Sequence, residues 1–328
     1  MARAKMEMVQ AAVIGFGLPG LILLIVLAVI LPPGTQYATE PSAPAEQLHT
    51  QGTTMPLQDQ RISLLIDGES LQLPLEEYVA GVLLAEIPAS FHEEALKAQA
   101  VAARTYAMKT CQDGKKHGGA ICASADCCQG YMSPEAYLLR GWNEKYVLRV
   151  QKAVEQTRGQ VLFYEGRLIR ATYFSCSGGA TESAVAVWGR EYPYLQSVKS
   201  PGEEETVYYT DTKSFTPDSF LEALGIVLTG SPASWFGSIT YTEGGGIDQI
   251  TIGGVEYKGT TLRTLLGLRS TVFRVVVSDE QILFETKGFG HRVGMSQYGA
   301  DAMAQEGKDY EKILLHYYQG TQIGYLQT

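Results

Sequence analysis

Apolar residues recur at Leu75, Tyr78, Val79, Val82 and Leu83, the i, i+3, i+4, i+7, i+8 spacing of one helix face. Pro74 at the start and Glu76 and Glu77 in the first turn suit the positive end of that helix. Pro88 ends it, because a proline drives the residue before it out of the helical region. Glu86 therefore falls at the carboxyl end, beside unpaired backbone carbonyls. A second helix follows, with Ser90 and Glu93 spaced as a capping box ahead of an alanine-rich run able to lie close to its neighbours.

The same patterning predicts a hairpin of Arg61 to Ile66 and Ser70 to Leu73 around Asp67-Gly68. Helix is expected from Pro134 to Gln156, with Trp142, Tyr146, Val147, Val150 and Val154 on its apolar face. Gln160 to Tyr164 and Arg167 to Phe174 read as strands turned by Glu165-Gly166. A smaller lobe, about residues 201–286, carries a helix near Pro217 to Leu224 and strands at 249–252, 271–277 and 281–284, with 238–242 a further candidate. It contains no evident catalytic constellation. Gly288 to Gly299 is a glycine-rich turn bearing His291. Ser296 or Asp301 then opens a helix that Gly307 closes, and a last helix runs from Asp309 to Tyr318. The fold class expected is α+β, with a substrate groove between the larger helix and sheet body and the inserted lobe.

Residues 11–31 hold no charged side chain and are long enough to cross a bilayer. Arg3 and Lys5 precede them and the next basic residue is Arg61, which directs the amino terminus to the cytoplasm and the rest outward. The segment 1–31 is thus read as a cytoplasmic stub and single-pass anchor in the cell membrane; a cleaved signal peptide is the alternative. Residues 32–59, rich in Pro, Thr, Ala and Gln, form a tether to an exterior domain over 60–328.

The 328 residues carry a formal net charge of -9, which argues against nucleic acid as a partner. Five cysteines, all between Cys111 and Cys176, argue against a disulfide framework for the whole fold and for a metal site or one bridge with spare thiols. The loop from Cys111 to Tyr131 gathers four of them with His117. Thiolates and imidazole are zinc ligands, so His117, Cys122 and Cys128 could converge with a fourth from Cys111, Cys127, an acid or water. A disulfide of Cys111 with Cys122 or Cys127 is the rival reading in an oxidising exterior.

At a helix carboxyl end, next to Ala85 and Ile87, the protonated form of Glu86 is favoured, which is what a general acid requires. Lys97 and Arg104 are two turns apart and could point one cationic stripe toward that acid; a solvated carboxylate with solvated cations is the plainer alternative. Trp188, Tyr192 and Tyr194 could stack on sugar rings, although core packing serves each equally well. Cys176 and His291 could form a nucleophile and base pair. The run Gly288-x-Gly290-x-x-x-Gly294 has the wrong spacing and context for a dinucleotide site.

The run from Glu76-Glu77-Tyr78-Val79 through Glu86-Ile87-Pro88 to Ala98-Gln99-Ala100-Val101-Ala102-Ala103-Arg104-Thr105-Tyr106 resembles the signature of the stage II sporulation protein D family. Tyr173-Phe174-Ser175-Cys176-Ser177-Gly178-Gly179 and Gly288-Phe289-Gly290-His291-Arg292-Val293-Gly294-Met295-Ser296-Gln297 resemble its later blocks. The resemblance implies a peptidoglycan lytic transglycosylase acting in sporulation engulfment, with Glu86 as its one catalytic acid. It further implies that Lys97, Arg104, Ser175, Ser177, His291, Gln297 and Tyr317 or Tyr318 orient sugars or stabilise charge. It implies zinc held near the groove by one His and two Cys. The partners implied are glycan strands stripped of stem peptides, an amidase and a small membrane scaffold. Amidase enhancers share the family, so a glycan-binding stimulator without activity of its own is the alternative function.

Overall fold

The computed structural model describes residues 60–114 and 116–326. The anchor and tether expected over 1–59 lie outside the described residues. Among those described, no helix is long and apolar enough to cross a membrane.

Strands β1 (Arg61–Ile66) and β2 (Glu69–Pro74) form the hairpin. Its turn places Asp67 and Gly68 at φ 51 and 86, the left-handed pair that a two-residue hairpin turn requires. Helix α1 (Leu75–Glu86) follows directly and α2 (Glu93–Asp113) packs on it. The spacing predicted one apolar face for α1; in the structure Ala80, Gly81 and Leu84 are buried as well, so most of its circumference is inside. Helix α2 buries Ala95, Ala98, Ala100, Ala102, Ala103 and Ala107 completely. These small side chains allow α1, helices α4 (Glu144–Gln156), α8 (Gln297–Gln305) and α9 (Tyr310–Tyr317), and strand β4 (Gln160–Tyr164) all to meet it.

The capping box is not formed. Helix α2 begins two residues later than a Ser90 cap would start it, with the His92 ring accepting from the Glu94 amide at 3.2 Å and the His92 amide donating to Asp301 at 2.6 Å. The single helix expected over 134–156 is two, α3 (Pro134–Leu139) and α4, because Gly141 turns at φ 79 between them. That break puts Trp142 on the surface of a cleft rather than in the core.

The remaining strands make short sheets: β3 (Ile121–Cys122) beside β1; β5 (Arg167–Leu168) and β16 (Gln322–Tyr325) flanking β4; β6 (Tyr173–Phe174) beside β15 (Met295–Ser296); and β7 (Gly179–Ala180) beside β8 (Lys199–Ser200). Helix α5 (Ala184–Trp188) lies between β7 and β8 in sequence. The architecture is mixed α and β. A second cluster of buried side chains, including Phe220, Trp235, Ile250, Leu262, Phe273 and Phe284, comes wholly from the segment read as a lobe. Two three-stranded sheets enclose it: β13 (Val272–Val277), β14 (Ile282–Lys287) and β9 (Thr210–Phe215); and β10 (Phe236–Tyr241), β11 (Ile247–Ile252) and β12 (Val255–Lys258). Helices α6 (Pro217–Leu224) and α7 (Gly259–Leu265) complete it. Strands β9 and β12 and helix α7 lack any strong apolar period in the sequence; β9 reads Thr-Asp-Thr-Lys-Ser-Phe.

Arg292 ties this segment to the body. It is 1% exposed and adopts φ 65, a conformation that favours glycine. Its guanidinium pairs with Glu182 at 2.9 Å and donates to the carbonyls of Ser177, Ala180 and Gly244 at 2.6, 2.7 and 2.7 Å. Glu182 in turn accepts from Thr242 and the Gly246 amide.

Candidate active site

Glu86 is the last residue of α1. Ile87, ahead of Pro88, is extended at φ -126 and ψ 142, so the helix stops there. The Glu86 carboxylate is half-buried, accepts from the Gly130 amide at 2.5 Å and forms no ion pair among the described residues. Burial raises its pKa; the Gly130 hydrogen bond pulls the other way and does not cancel it. Glu86 lines two adjoining cavities of about 530 and 730 Å³, which also share Ala125, Tyr173 and His291.

The loop carrying Gly130 is fixed from both ends. Tyr131 lies parallel to Tyr78 with ring centroids 5.9 Å apart. A Cβ on Gly81 would come within 2.2 Å of the Tyr131 ring, so glycine there is what admits it. Gln129, 2% exposed, accepts from the Tyr78 hydroxyl and donates to that of Tyr173, both at 2.9 Å. Upstream, His117, Cys122, Cys127 and Cys128 bring their ligand atoms within 4.8 Å of one another. The Cys127 and Cys128 sulfurs are 3.8 Å apart and the His117 Nε2 is 3.4 Å from the Cys127 sulfur. Tetrahedral zinc with usual bond lengths requires separations of about 3.8 and 3.6 Å. The donor set and spacing fit that ion, and Cys127 would be the fourth ligand. All five cysteines are free thiols, and Cys111 stands outside the cluster, so the disulfide alternative is not formed.

His291 reaches the groove on a loop that pairs with the second motif block: Cys176 and Phe289 exchange backbone hydrogen bonds at 3.1 and 2.7 Å. A Cβ on Gly294 would stand 2.0 Å from the Thr172 carbonyl, so the two blocks touch backbone to backbone. The imidazole lies 5.7 Å from Phe174 and 5.4 Å from Trp188, centroid to centroid. Burial, with the nearby Arg263 charge, lowers its pKa to about 4 against a hydrogen bond with the Tyr173 backbone. It is neutral at neutral pH, and because Nδ1 accepts from the Val293 amide at 3.0 Å, the proton is on Nε2.

Of the other residues expected at the site, Ser175 and Gln297 line the larger cavity with Glu86 and His291. The rest are elsewhere. Arg104 is fully buried and clamps Glu76, with further donation to the Gln160 carbonyl at 3.1 Å. Lys97 pairs with Glu94 at 2.7 Å and sits over the Tyr310 ring. Neither faces the groove, because α2 turns that stripe toward α1, β4 and α9. Tyr317 is buried against Ser200 at 2.6 Å, and Tyr318 donates to the Thr172 carbonyl at 2.8 Å. Tyr194 is packed on Tyr164 and accepts from the Arg170 amide; its neighbours Trp188 and Tyr192 line the smaller cavity instead.

Ser177 belongs to a hub that the sequence did not announce. Glu203, 1% exposed, accepts on one oxygen from the Cys176 thiol, the Ser177 amide and hydroxyl and the Gly178 amide, at 3.1, 2.7, 2.8 and 3.0 Å. Its other oxygen accepts from Ser200 and Ser296 at 2.7 and 2.6 Å. Six donors thus hold one carboxylate and lock the second and third motif blocks together. In sequence it is one of three consecutive glutamates, and only burial separates it from Glu204 and Glu205. Cys176 is consequently no nucleophile: it is fully buried, and desolvation with the Glu203 charge drives its thiol far above the usual range.

A family model described as stage II sporulation protein matches residues 68–164, which span α1, α2 and the cysteine loop. The chain is 39% identical over 321 residues to Stage II sporulation protein D of Bacillus subtilis (strain 168), covering 92% of each chain. It is 38% identical over 324 residues to the protein of that name from Bacillus amyloliquefaciens, covering 94% of this chain and 93% of that one. An Amidase enhancer of Bacillus subtilis is 32% identical over 302 residues, 74% of this chain and 40% of the enhancer. At these identities over more than nine-tenths of both chains, the chain belongs to the stage II sporulation protein D family.

Proposed function

We propose that this protein is a membrane-anchored lytic transglycosylase that cleaves peptidoglycan glycan strands during sporulation, with Glu86 as both acid and base. The observation that carries the reading is a desolvated, unpaired carboxyl group facing a groove rich in aromatic side chains. Hydrolysis with two carboxylates would need a second acid flanking the bond. In the larger cavity Glu86 is the sole carboxyl group among the described lining residues, and Asp126 in the smaller one is exposed.

Protonated Glu86 donates to the oxygen linking N-acetylmuramic acid to N-acetylglucosamine as that bond breaks. The resulting carboxylate takes the proton from the muramic 6-hydroxyl, which closes onto C1. The product is a 1,6-anhydro end, no water is consumed, and Glu86 is left protonated. The Gly130 amide suits the second half, since it stabilises the carboxylate between the two transfers. Neutral His291 and Gln297 offer polar contacts to the sugar, and Trp188, Tyr173 and Tyr192 offer stacking faces. The cluster of His117, Cys122, Cys127 and Cys128 would hold zinc in an organising role, two residues before Gly130. Zinc there supplies rigidity to the loop that presents the donor.

The domain would work outside the membrane on strands stripped of stem peptides, beside an amidase and a small membrane scaffold. The similarity to an amidase enhancer favours a second reading, in which the groove binds glycan and stimulates a partner without cleaving it. Digestion of denuded strands in ¹⁸O water separates them. Unlabelled anhydro ends support the first, labelled ends indicate a hydrolase, and uncut strands favour the second.

A further inference from the structure

Among the described residues Arg263 is the one lysine or arginine lining the larger cavity, and no acid holds it. It sits in α7 and lines the larger cavity with Glu86 and His291. Its Nε donates to the Arg269 carbonyl at 3.2 Å, and no carboxylate pairs with it among the described residues. The other cations around the site are engaged or in open solvent. Arg170 pairs with Asp113 at 3.0 Å and Arg269 with Asp211 at 3.3 Å, Lys116 donates to the Cys127 carbonyl, and Arg190 is exposed beside Tyr192.

The cavity around Arg263 sharpens the point. Apart from its tyrosines and the neutral His291, the ionisable members of its lining are Glu86 and Arg263. Tyr137, Trp142, Phe174, Tyr208, Phe289 and Tyr298 are among the rest. A guanidinium half-removed from water has lost hydration that only an anion restores well, and its planar pair of Nη donors matches a carboxylate in two-point geometry. Burial accordingly lowers its pKa with no compensating partner.

We infer that Arg263 is the specificity-determining residue that recognises the free lactyl carboxylate of a muramic residue in the groove. The inference rests on the glycan reading of the site. The carboxylate is an amide while a stem peptide is attached and becomes an anion only once the peptide is removed. The lobe thereby selects stripped strands, and the charge that marks them is read in the same cavity as the acid.

Binding measurements on the Glu86→Gln protein test this without turnover. Three glycans are titrated: denuded strands, the same strands with their carboxyls coupled to methylamine, and strands still bearing peptides. The expected result is that both amide forms bind about ten- to a hundredfold more weakly than the free acid, the range for one charge-assisted pair. Adding Arg263→Gln should cost the same factor on denuded strands and nothing more on methylamidated ones. Adding Arg263→Lys should recover part of the loss, with unchanged melting as the folding control. Equal binding of free and amidated strands overturns the inference. So does a full carboxylate preference surviving Arg263→Gln, or no binding of denuded strands at all. Failure of the transglycosylase reading is a separate result, seen as strands that bind wild type with this carboxylate preference yet yield no anhydro ends.

Discussion

The amide of Gly130 donates to the Glu86 carboxylate at 2.5 Å, and a Cβ on Gly130 would come 2.9 Å from the same oxygen. The glycine therefore supplies a donor and also leaves room for its acceptor. Gly130→Ala should push the carboxyl aside and lower kcat roughly tenfold or more, the cost of one hydrogen bond to a charged group. Loss of a donor to the ionised form also raises the Glu86 pKa further, so the high-pH limb of activity should move upward. A pH profile of anhydro-end formation for both proteins measures this.

Metal removal gives a second outcome. If zinc braces the loop through His117, Cys122, Cys127 and Cys128, chelation frees Gln129 and Gly130 together. Activity and melting temperature should both fall, and added zinc should restore them. Cys127→Ser should copy the effect, and Cys111→Ser should not, as read by metal content and thermal melts.

Arg104 distinguishes structure from substrate contact. It is fully buried on Glu76, which also accepts from the Gly159 amide at 3.0 Å. Removing one partner leaves an uncompensated charge, so Arg104→Met should cost about 3–5 kcal/mol in denaturant unfolding. The KM of whatever protein remains folded should be unchanged; a raised KM at full stability would return Arg104 to the groove.

Most of what the sequence discloses is periodic or capped. Helix α1, its stop before Pro88, the Asp67-Gly68 turn and the start of the last helix at Asp309 are readable, and Ser296 is one of the two starts offered for α8, because each depends on neighbours within a few positions. Lys97, Arg104, Tyr317 and Tyr318 mislead because a polar side chain in a motif reads the same whether it meets sugar or locks a helix. Glu203, Gln129 and Arg263 are silent for a related reason. Glu203 and Gln129 meet partners 26 and 51 residues away, and Arg263 matters only through a cavity that the fold encloses.

The raised pKa of Glu86 has a stability consequence. A carboxyl whose folded pKa exceeds its unfolded value favours the fold fully below the unfolded pKa and loses that contribution as pH rises through the folded one. Glu86→Gln should therefore melt at the same temperature as wild type in acid and at a higher one near pH 8. A variant less stable than wild type at pH 8 would mean that the carboxylate is held by interactions other than Gly130.

Cys176 supplies the control on mechanism. Buried against Glu203 and kept protonated, it has no route to thiolate chemistry. Cys176→Ala should keep the rate of anhydro-end formation within about threefold, because a lost thiol hydrogen bond is worth little. Abolished activity in a normally folded variant would revive the cysteine reading.

The most direct measurement is mass spectrometry of the ends released from denuded glycan by wild type and by Glu86→Gln under single-turnover conditions. A general acid contributes roughly 10² to 10⁴ in rate. The expected result is 1,6-anhydromuramic ends from wild type and a fall of at least that size in the variant, with glycan binding retained. Anhydro ends forming at an undiminished rate without the Glu86 carboxyl would contradict the account.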